Sequence, residues 1–259
     1  MPKLSIITVN YNNIKGLERT VMSVLSQNWK NFEYIIIDGG STDGSKELLE
    51  ANSSSLSYWT SEPDKGIYNA MNKGIRVAKG DYLFFLNSND KLNNKNAIQN
   101  AANHLINEDI VYFNIKVVAD GGSYIKECPS KLSFQYLHND LPPHQSTFLH
   151  KSLFEKYGYY DENLKIVADW KFLLLALLKH NATYKHVDQI FSTFYQGGIS
   201  SQEGSFEVME KERELVLKSE FPILMHDVEE NFRLNRVLRN LRKSKKIKLL
   251  IRLGLLEKF

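Results

Sequence analysis

A chain of 259 residues with 42% hydrophobic, 24% charged and 12% aromatic residues, 6 Pro and 14 Gly can bury a sizeable core, which excludes collagen-like, low-complexity and wholly disordered classes. Its single cysteine, Cys128, excludes an internal disulfide framework and Cys-rich zinc or iron–sulfur sites, and indicates a reducing compartment. The net charge of +3 is unevenly spread: residues 231–259 hold ten Lys/Arg against Glu257 alone and carry +9, while the rest, with 23 Lys/Arg against 29 Asp/Glu, carries −6, so an anionic partner is expected for the tail.

The opening Met-Pro-Lys-Leu-Ser-Ile-Ile-Thr-Val-Asn is too short an apolar run for a secretory segment, and no window approaches the roughly 20 apolar residues of a spanning helix. The expectation is a cytoplasmic chain. Leu4–Val9 reads as a strand, Leu17, Val21, Val24 and Leu25 recur at helical spacing, and Glu33–Ile37 reads as a second strand before Asp38-Gly39-Gly40-Ser41-Thr42-Asp43-Gly44. A polar helix through Leu48 and Leu49 follows, then a strand at Leu56–Thr60, a helix at Gly66–Ala78 and a strand at Tyr82–Leu86 ending in Asn87-Ser88-Asn89-Asp90. Nearly continuous apolar strands alternating with helices predict an α/β fold with a mostly parallel sheet covered on both faces.

After residue 110 the texture changes to mixed α+β. Asp120-Gly121-Gly122 signals a hairpin between Ile110–Ala119 and Ser123–Cys128. A helix near Lys151–Tyr157, an apolar helix from about Asp169 to His180, a strand pair around Thr183–Tyr195 and a charged helix from about Ser205 are expected next.

There is neither a Gly-rich dinucleotide fingerprint after the first strand nor a phosphate loop ending in Gly-Lys-Ser/Thr, which removes the main support for dehydrogenases and ATPases. The polar clusters instead fall at the carboxyl ends of the strands, where open parallel sheets bind ligands. Carboxylates, amides and Lys73 around such a cleft suit a nucleotide base, its ribose and a diphosphate. Taken singly, Asp38 and Asp43 also suit turn or N-cap positions, and Lys73 a solvated helix.

Ile6-Ile7-Thr8-Val9-Asn10-Tyr11-Asn12, Ile37-Asp38-Gly39-Gly40-Ser41-Thr42-Asp43-Gly44, Ser61-Glu62-Pro63-Asp64-Lys65-Gly66-Ile67-Tyr68-Asn69-Ala70-Met71-Asn72-Lys73-Gly74 and Leu86-Asn87-Ser88-Asn89-Asp90, in this order, resemble family 2 glycosyltransferases of the GT-A fold. Less densely, the resemblance extends through Pro143-His144-Gln145, Ala168-Asp169-Trp170 and Gly197-Gly198-Ile199-Ser200, the pattern of bacterial surface-polysaccharide transferases, and covers roughly residues 3–200. It implies a GT-A domain, expected over residues 1–222 with a nucleotide-sugar half (1–115) and an acceptor half (116–222); charge and spacing add a basic amphipathic tail (223–259).

The resemblance further implies nucleotide contacts from Thr8, Asn10, Asp38, Asp64 and Lys73, and an inverting transfer from a nucleotide-diphospho-sugar, a UDP-sugar, to a lipid-linked saccharide. Asp169 resembles the catalytic acidic position and is the expected general base; its alternative is a helix N-terminal carboxylate. His144, Gln145, Trp170 and Ser200 are the expected acceptor or donor-sugar pocket, although His144 suits a structural role equally and the Gly197-Gly198 segment an ordinary turn. Mn²⁺ or Mg²⁺ is expected on Asp90 and Asn89, yet Asn87 and Asn89 stand where the family usually places acidic residues, and Asn69 replaces a frequent Asp. These departures leave open a catalytically inactive sugar-nucleotide-binding subunit; a sugar nucleotidyltransferase is the other rival, although its Gly- and Arg-containing N-terminal loop is missing.

In the tail, Phe232, Leu234, Val237, Leu238 and Leu241 recur at helical spacing between basic residues, with Leu249, Leu250, Ile251, Leu253, Leu255 and Leu256 beyond. This pattern predicts a cationic amphipathic helix on an anionic membrane, the inner face of the plasma membrane, with a helix packed on the catalytic domain as the alternative. No nucleic-acid partner is expected, and a homo-oligomer is left open.

Overall fold

The structure is a computed structural model that describes residues 3–257, the side chains of Glu229 and Phe232 excepted. Four parallel strands, β1 (Leu4–Asn10), β2 (Phe32–Asp38), β3 (Tyr58–Ser61) and β4 (Tyr82–Phe85), lie in the order β3-β2-β1-β4. Every residue of β1 and β4 is buried, as expected for strands covered on both faces. The crossovers carry α1 (Ile14–Leu25), α2 (Ser45–Ala51) and α3 (Ile67–Val77). Asn13 caps α1 by accepting from Gly16 N–H at 3.1 Å. At Gly74 of α3 a Cβ would come within 2.6 Å of Ile7 Cγ2, so only glycine lets this helix sit so close on β1.

Beyond β4 the short strand β5 (Lys91–Leu92) and helix α4 (Ala97–Ala102) lead into the hairpin β6 (Ile110–Ala119) and β7 (Gly122–Lys126), paired Ala119 to Gly122 as the Asp-Gly-Gly signal predicts. Helix α5 (Phe134–Asn139) precedes β8 (Thr147–His150), which inserts antiparallel between β4 and β6. After α6 (Ser152–Tyr157) and α7 (Ala168–Leu178), β9 (Tyr184–Tyr195) pairs parallel with β6 and antiparallel with β5.

The expected strand pair around Thr183–Tyr195 is therefore one twelve-residue strand. A register irregularity at Asn114 of β6 lets it continue: Phe113 pairs with Val187 and Asn114 with Ile190, so the intervening residues bulge instead of turning. The aromatic core lies beneath this junction, where Phe84, Phe113, Phe148 and Phe191 meet with ring centroids 4.8–5.7 Å apart.

The chain forms two compact units, 1–209 and 210–259, whose division falls within α8 (Ser205–Glu220). The second unit continues with α9 (Pro222–Lys243) and α10 (Lys245–Arg252), separated by the extended Ser244. Leu234, Val237, Leu238, Leu241, Leu249, Leu250, Leu253, Leu255 and Leu256 are exposed; the side chain of Phe232 lies outside the described residues. Among the described residues no helix is long and apolar enough to cross a membrane.

Candidate active site

The carboxyl ends of β1, β2 and β4 are tied together by backbone bonds from Gly39 N–H to Asn10 O at 2.9 Å and from Ser88 N–H to Val9 O at 3.1 Å. Asp38 closes β2 as a fully buried hub. Its Oδ1 accepts from Asn10 Nδ2 at 2.7 Å and Ser41 Oγ at 2.6 Å, and its Oδ2 from Ser41 N–H at 2.9 Å and Ser61 Oγ at 2.6 Å. Burial alone would raise its pKa, but the Ser41 and Ser61 donors together with Asn10 outweigh it and hold Asp38 below the ordinary carboxylate value. The neighbouring loops are clasped through Asn12, whose N–H donates to Ser41 Oγ at 2.7 Å while its Oδ1 accepts from Thr42 N–H at 2.9 Å.

Asp43 takes a turn role, accepting from Ile14 N–H at 2.8 Å and from Ser45 N–H and Oγ at 3.1 and 2.6 Å and so joining the first residues of α1 and α2. Asp64 lies beside the hub: its Oδ1 accepts from Gly66 N–H at 2.8 Å, and its Oδ2 would be 2.6 Å from a Cβ at Gly39, which reserves that position for glycine. Lys73 pairs with Glu62 at 2.8 Å at the rim of the same loop.

Thr8, expected at the nucleotide, is as fully buried as Asp38; its hydroxyl donates to Leu86 O at 2.7 Å and meets Tyr34 Oη at 3.0 Å, joining β1 to its neighbours inside the sheet. Trp170, expected in the pocket, is also a core residue, 1% exposed, with Nε1 donating to Leu137 O. Its burial follows from α7, which is apolar almost all round. Ser200 is exposed in a 3-10 turn after Gly197 and Gly198.

Asp169 sits in the first turn of α7 with its carboxylate inside a ring of donors. Tyr68 Oη and Trp170 N–H donate to Oδ1, each at 2.9 Å, and His144 Nδ1 faces Oδ2 at 3.3 Å. Burial would again raise the pKa, but the His144 hydrogen bond and charge, then Tyr68, bring Asp169 below the ordinary carboxylate value. Burial and the Asp169 charge push Tyr68 in the opposite direction, so its hydroxyl stays a donor. The other ring nitrogen of His144, Nε2, faces Asn87 Nδ2 at 3.2 Å, so the chain Tyr68–Asp169–His144–Asn87 links α3, α7, the turn before β8 and the loop after β4. A small recess of about 20 Å³, lined by His144 and Asp169 together with Phe85, Leu149, Tyr160 and Leu173, has room for one water.

The loop after β4 is built differently. Asp90 is 3% exposed; its Oδ1 receives Tyr195 N–H at 3.4 Å, and Gln145 also bonds its side chain. Here burial wins and pushes the carboxyl up to about 7, against the smaller opposing effects of His144, Tyr195, Gln145 and Arg19. Asn89 gives its Oδ1 to Arg19 Nη1 and donates from Nδ2 to Tyr195 O at 3.4 Å, and Asn87 Oδ1 is buried without a partner. This donor set does not fit a divalent cation, which takes several oxygens and at least one accessible carboxylate. The one carboxyl is buried and engaged, one amide oxygen holds a guanidinium, and among the described residues no group of three or more His, Cys, Asp or Glu could hold a metal. The Mn²⁺ or Mg²⁺ expectation on Asp90 and Asn89 does not find its ligands.

Asn69, which replaces a frequent Asp, donates from Nδ2 to Glu162 Oε2 at 2.7 Å, while Asn72 Nδ2 holds Glu162 Oε1 at 2.8 Å. An aspartate would face Glu162 with like charge, so the departure is matched elsewhere in the chain. Sequence reasoning assigned no role to Tyr68 or Arg19; Tyr68 stands within a quoted motif, whereas Arg19 lies in a helix whose apolar face supplies the only sequence signal.

The sequence pattern of the family described as "Glycosyl transferase family 2" matches residues 5–157, which carry β1–β4, Leu4 excepted, and the loops after β2 and β4. The chain belongs to glycosyltransferase family 2. This family 2 glycosyltransferase is 36% identical over 182 residues to an uncharacterised glycosyltransferase of Mycobacterium tuberculosis (strain CDC 1551 / Oshkosh), covering 68% of this chain and 70% of the relative. It is 25% identical over 211 residues to a PGL/p-HBAD biosynthesis glycosyltransferase of Mycobacterium bovis (strain BCG / Pasteur 1173P2), covering 77% and 80%. Its fold resembles that of S. aureus TarS 1-349 in complex with UDP-GlcNAc, with a TM-score of 0.65, 21% identity and coverage of 84% and 71%. It also resembles a mannosyltransferase from Pyrobaculum calidifontis in complex with GDP-Man and Mn²⁺, with a TM-score of 0.59, 14% identity and coverage of 80% and 59%. At these identities the structural likeness establishes the GT-A fold.

Proposed function

We propose that this glycosyltransferase moves a sugar from a nucleotide-diphospho-sugar, a UDP-sugar, to a hydroxyl of a lipid-linked saccharide with inversion at the anomeric carbon. The observation that carries the reading is Asp169: an ionised carboxylate oriented by Tyr68, His144 and Trp170 N–H on an element separate from the strand-end hub at Asp38. Asp169 takes the proton of the acceptor hydroxyl while the hydroxyl oxygen bonds to the anomeric carbon from the face opposite the diphosphate. The bond from that carbon to the diphosphate breaks, and its electron pair leaves with the nucleoside diphosphate. A single carboxylate suffices, because direct displacement needs one base and no covalent sugar intermediate.

The hub places the nucleotide. Asp38 orders Asn10, Ser41 and Ser61 through four donors, and Asp64 and Lys73 border the same loop. A base or ribose donor contacting Asp38 itself has to displace one of those hydroxyls. The UDP-GlcNAc complex of a structural relative supports the donor class.

The exposed leucines and the cationic residues of α9 and α10 support a peripheral position on an anionic membrane, the inner leaflet where a lipid-linked acceptor would lie. Each basic residue near such a surface contributes about 1 kcal/mol. Full-length protein should co-sediment with anionic vesicles and not with neutral ones; equal behaviour with both contradicts the membrane assignment.

Thermal stabilisation by a panel of nucleotide sugars, followed by mass analysis of products on a synthetic diphospholipid acceptor, tests the activity. Stabilisation with donor consumption is expected. Nucleotide binding with no turnover on any acceptor, water included, favours the inactive binding subunit instead.

A further inference from the structure

We infer that in this chain the guanidinium of Arg19 takes the role that a divalent cation would play toward the leaving diphosphate, so that transfer proceeds without metal. The inference rests on the proposed nucleotide-diphosphate donor, and three features of the corner after β4 carry it. Asn89 is built to hold a cation on a side chain: its Oδ1 accepts from Arg19 Nη1, its backbone O lies 3.4 Å from the same nitrogen, and its Nδ2 donates to Tyr195 O. An aspartate at 89 would turn a carboxylate oxygen toward the Tyr195 carbonyl, so the asparagine is the residue this arrangement needs. The Asn89 backbone, at a φ of 93°, lies in the left-handed region that asparagine tolerates better than most residues.

The guanidinium is also fixed in place. It lies 4.4 Å from the centroid of the Tyr195 ring, and Lys91 Nζ lies 5.8 Å from the same centroid, so two cations border one ring. Among the described residues no carboxylate forms an ion pair with Arg19, and both of its hydrogen bonds come from Nη1. Nη2 and Nε keep their donors, in the forked geometry that matches phosphate oxygens. Lys73, the cation beside the Asp38 hub, is already paired with Glu62 at 2.8 Å.

Arg19 projects from α1 onto the loop after β4, the strand that pairs directly with β1, whose far neighbour β2 ends at the Asp38 hub. As the bond from the anomeric carbon to the diphosphate breaks, the electron pair moves onto the terminal phosphate oxygen. A fixed guanidinium then meets that charge without reorganisation.

The test is isothermal calorimetry on the full chain with UDP, uridine, GDP and guanosine, each in EDTA and again in Mn²⁺. Wild type is expected to bind one diphosphate far more tightly than its own nucleoside in EDTA, with Mn²⁺ changing that affinity by less than about twofold. Arg19→Gln should weaken the diphosphate about 10- to 100-fold, the scale of losing charge-assisted hydrogen bonds, and leave the nucleoside unchanged, which also shows that the variant is folded. Arg19→Lys should recover part of the loss. Diphosphate binding that requires Mn²⁺, or an unchanged affinity in Arg19→Gln, overturns the role of Arg19 while leaving the donor class standing. Failure of wild type to bind any of the four compounds overturns the donor reading, and the Arg19 role with it.

Discussion

The Asp169 region and the Asp90 region are the two ends of one hydrogen-bonded corner, and they treat a carboxyl in opposite ways. Both side chains are largely withdrawn from water, which by itself favours the neutral acid. At Asp169 a tyrosine, a histidine and a backbone N–H outweigh that effect, and the group remains a carboxylate below its ordinary pKa. At Asp90 the nearest backbone donor is 3.4 Å away, and the carboxyl is pushed up to about 7. Donors, more than depth, decide which aspartate is held as a carboxylate and which keeps its proton toward neutral pH. A pair of carboxyls whose surroundings drive them apart is the pattern expected of a site that has divided its tasks.

The largest effect should come from removing the base. Asp169→Asn keeps the shape of the side chain and is expected to lower transfer about 100- to 10,000-fold with nucleotide affinity nearly unchanged. Turnover within a few-fold of wild type, measured by nucleoside diphosphate release, would break the comparison at its active end. Next, His144→Gln retains a polar group but removes the imidazole whose contact with Oδ2 is the first cause lowering the pKa of Asp169. Its activity should fall by up to about 100-fold, mainly in kcat, as a misplaced base does. The acidic limb of the pH profile should also move to higher pH; a lower or unmoved limb would show that His144 does not set the charge of Asp169.

A stability effect sharpens the other end. Folded Asp90 holds its proton to about 7, whereas the free side chain releases it near 3.8, so the folded state binds more protons between these values. Stability should therefore fall as pH rises through that window. Asp90→Asn should remove this decline, raising the melting temperature at pH 8 and changing it little at pH 4. The smallest effect belongs to Asn69→Asp, which exchanges a donor to Glu162 for a like charge and should cost about 1 kcal/mol in denaturant unfolding at neutral pH. At acidic pH, where Glu162 is neutralised, that cost should shrink.

Much of the first sheet was legible because consecutive parallel strands put short apolar runs and polar loops in strict alternation, and the hub at Asp38 lies where that alternation places it. Thr8 was harder to read, because a strand buried on both faces gives no period-2 signal to tell a cleft-facing residue from an internal one. Trp170 shared this fate, since a helix apolar almost all round has no face to read. The Tyr68–Asp169 contact spans 101 residues of sequence, and β8, which brings His144 beside Asp169, enters the sheet out of chain order. Arg19 stayed hidden because its partner is a neutral asparagine seventy residues away, and charge patterning reveals only charged partners.

The central claim, direct displacement by a single base at Asp169, is tested most directly by the stereochemistry of the first sugar released. With a stabilising α-linked nucleotide sugar and water as acceptor, real-time proton NMR should show the β-anomer appearing first in wild type, ahead of mutarotation. First appearance of the α-anomer would contradict the account, because retention cannot arise from one displacement by one base.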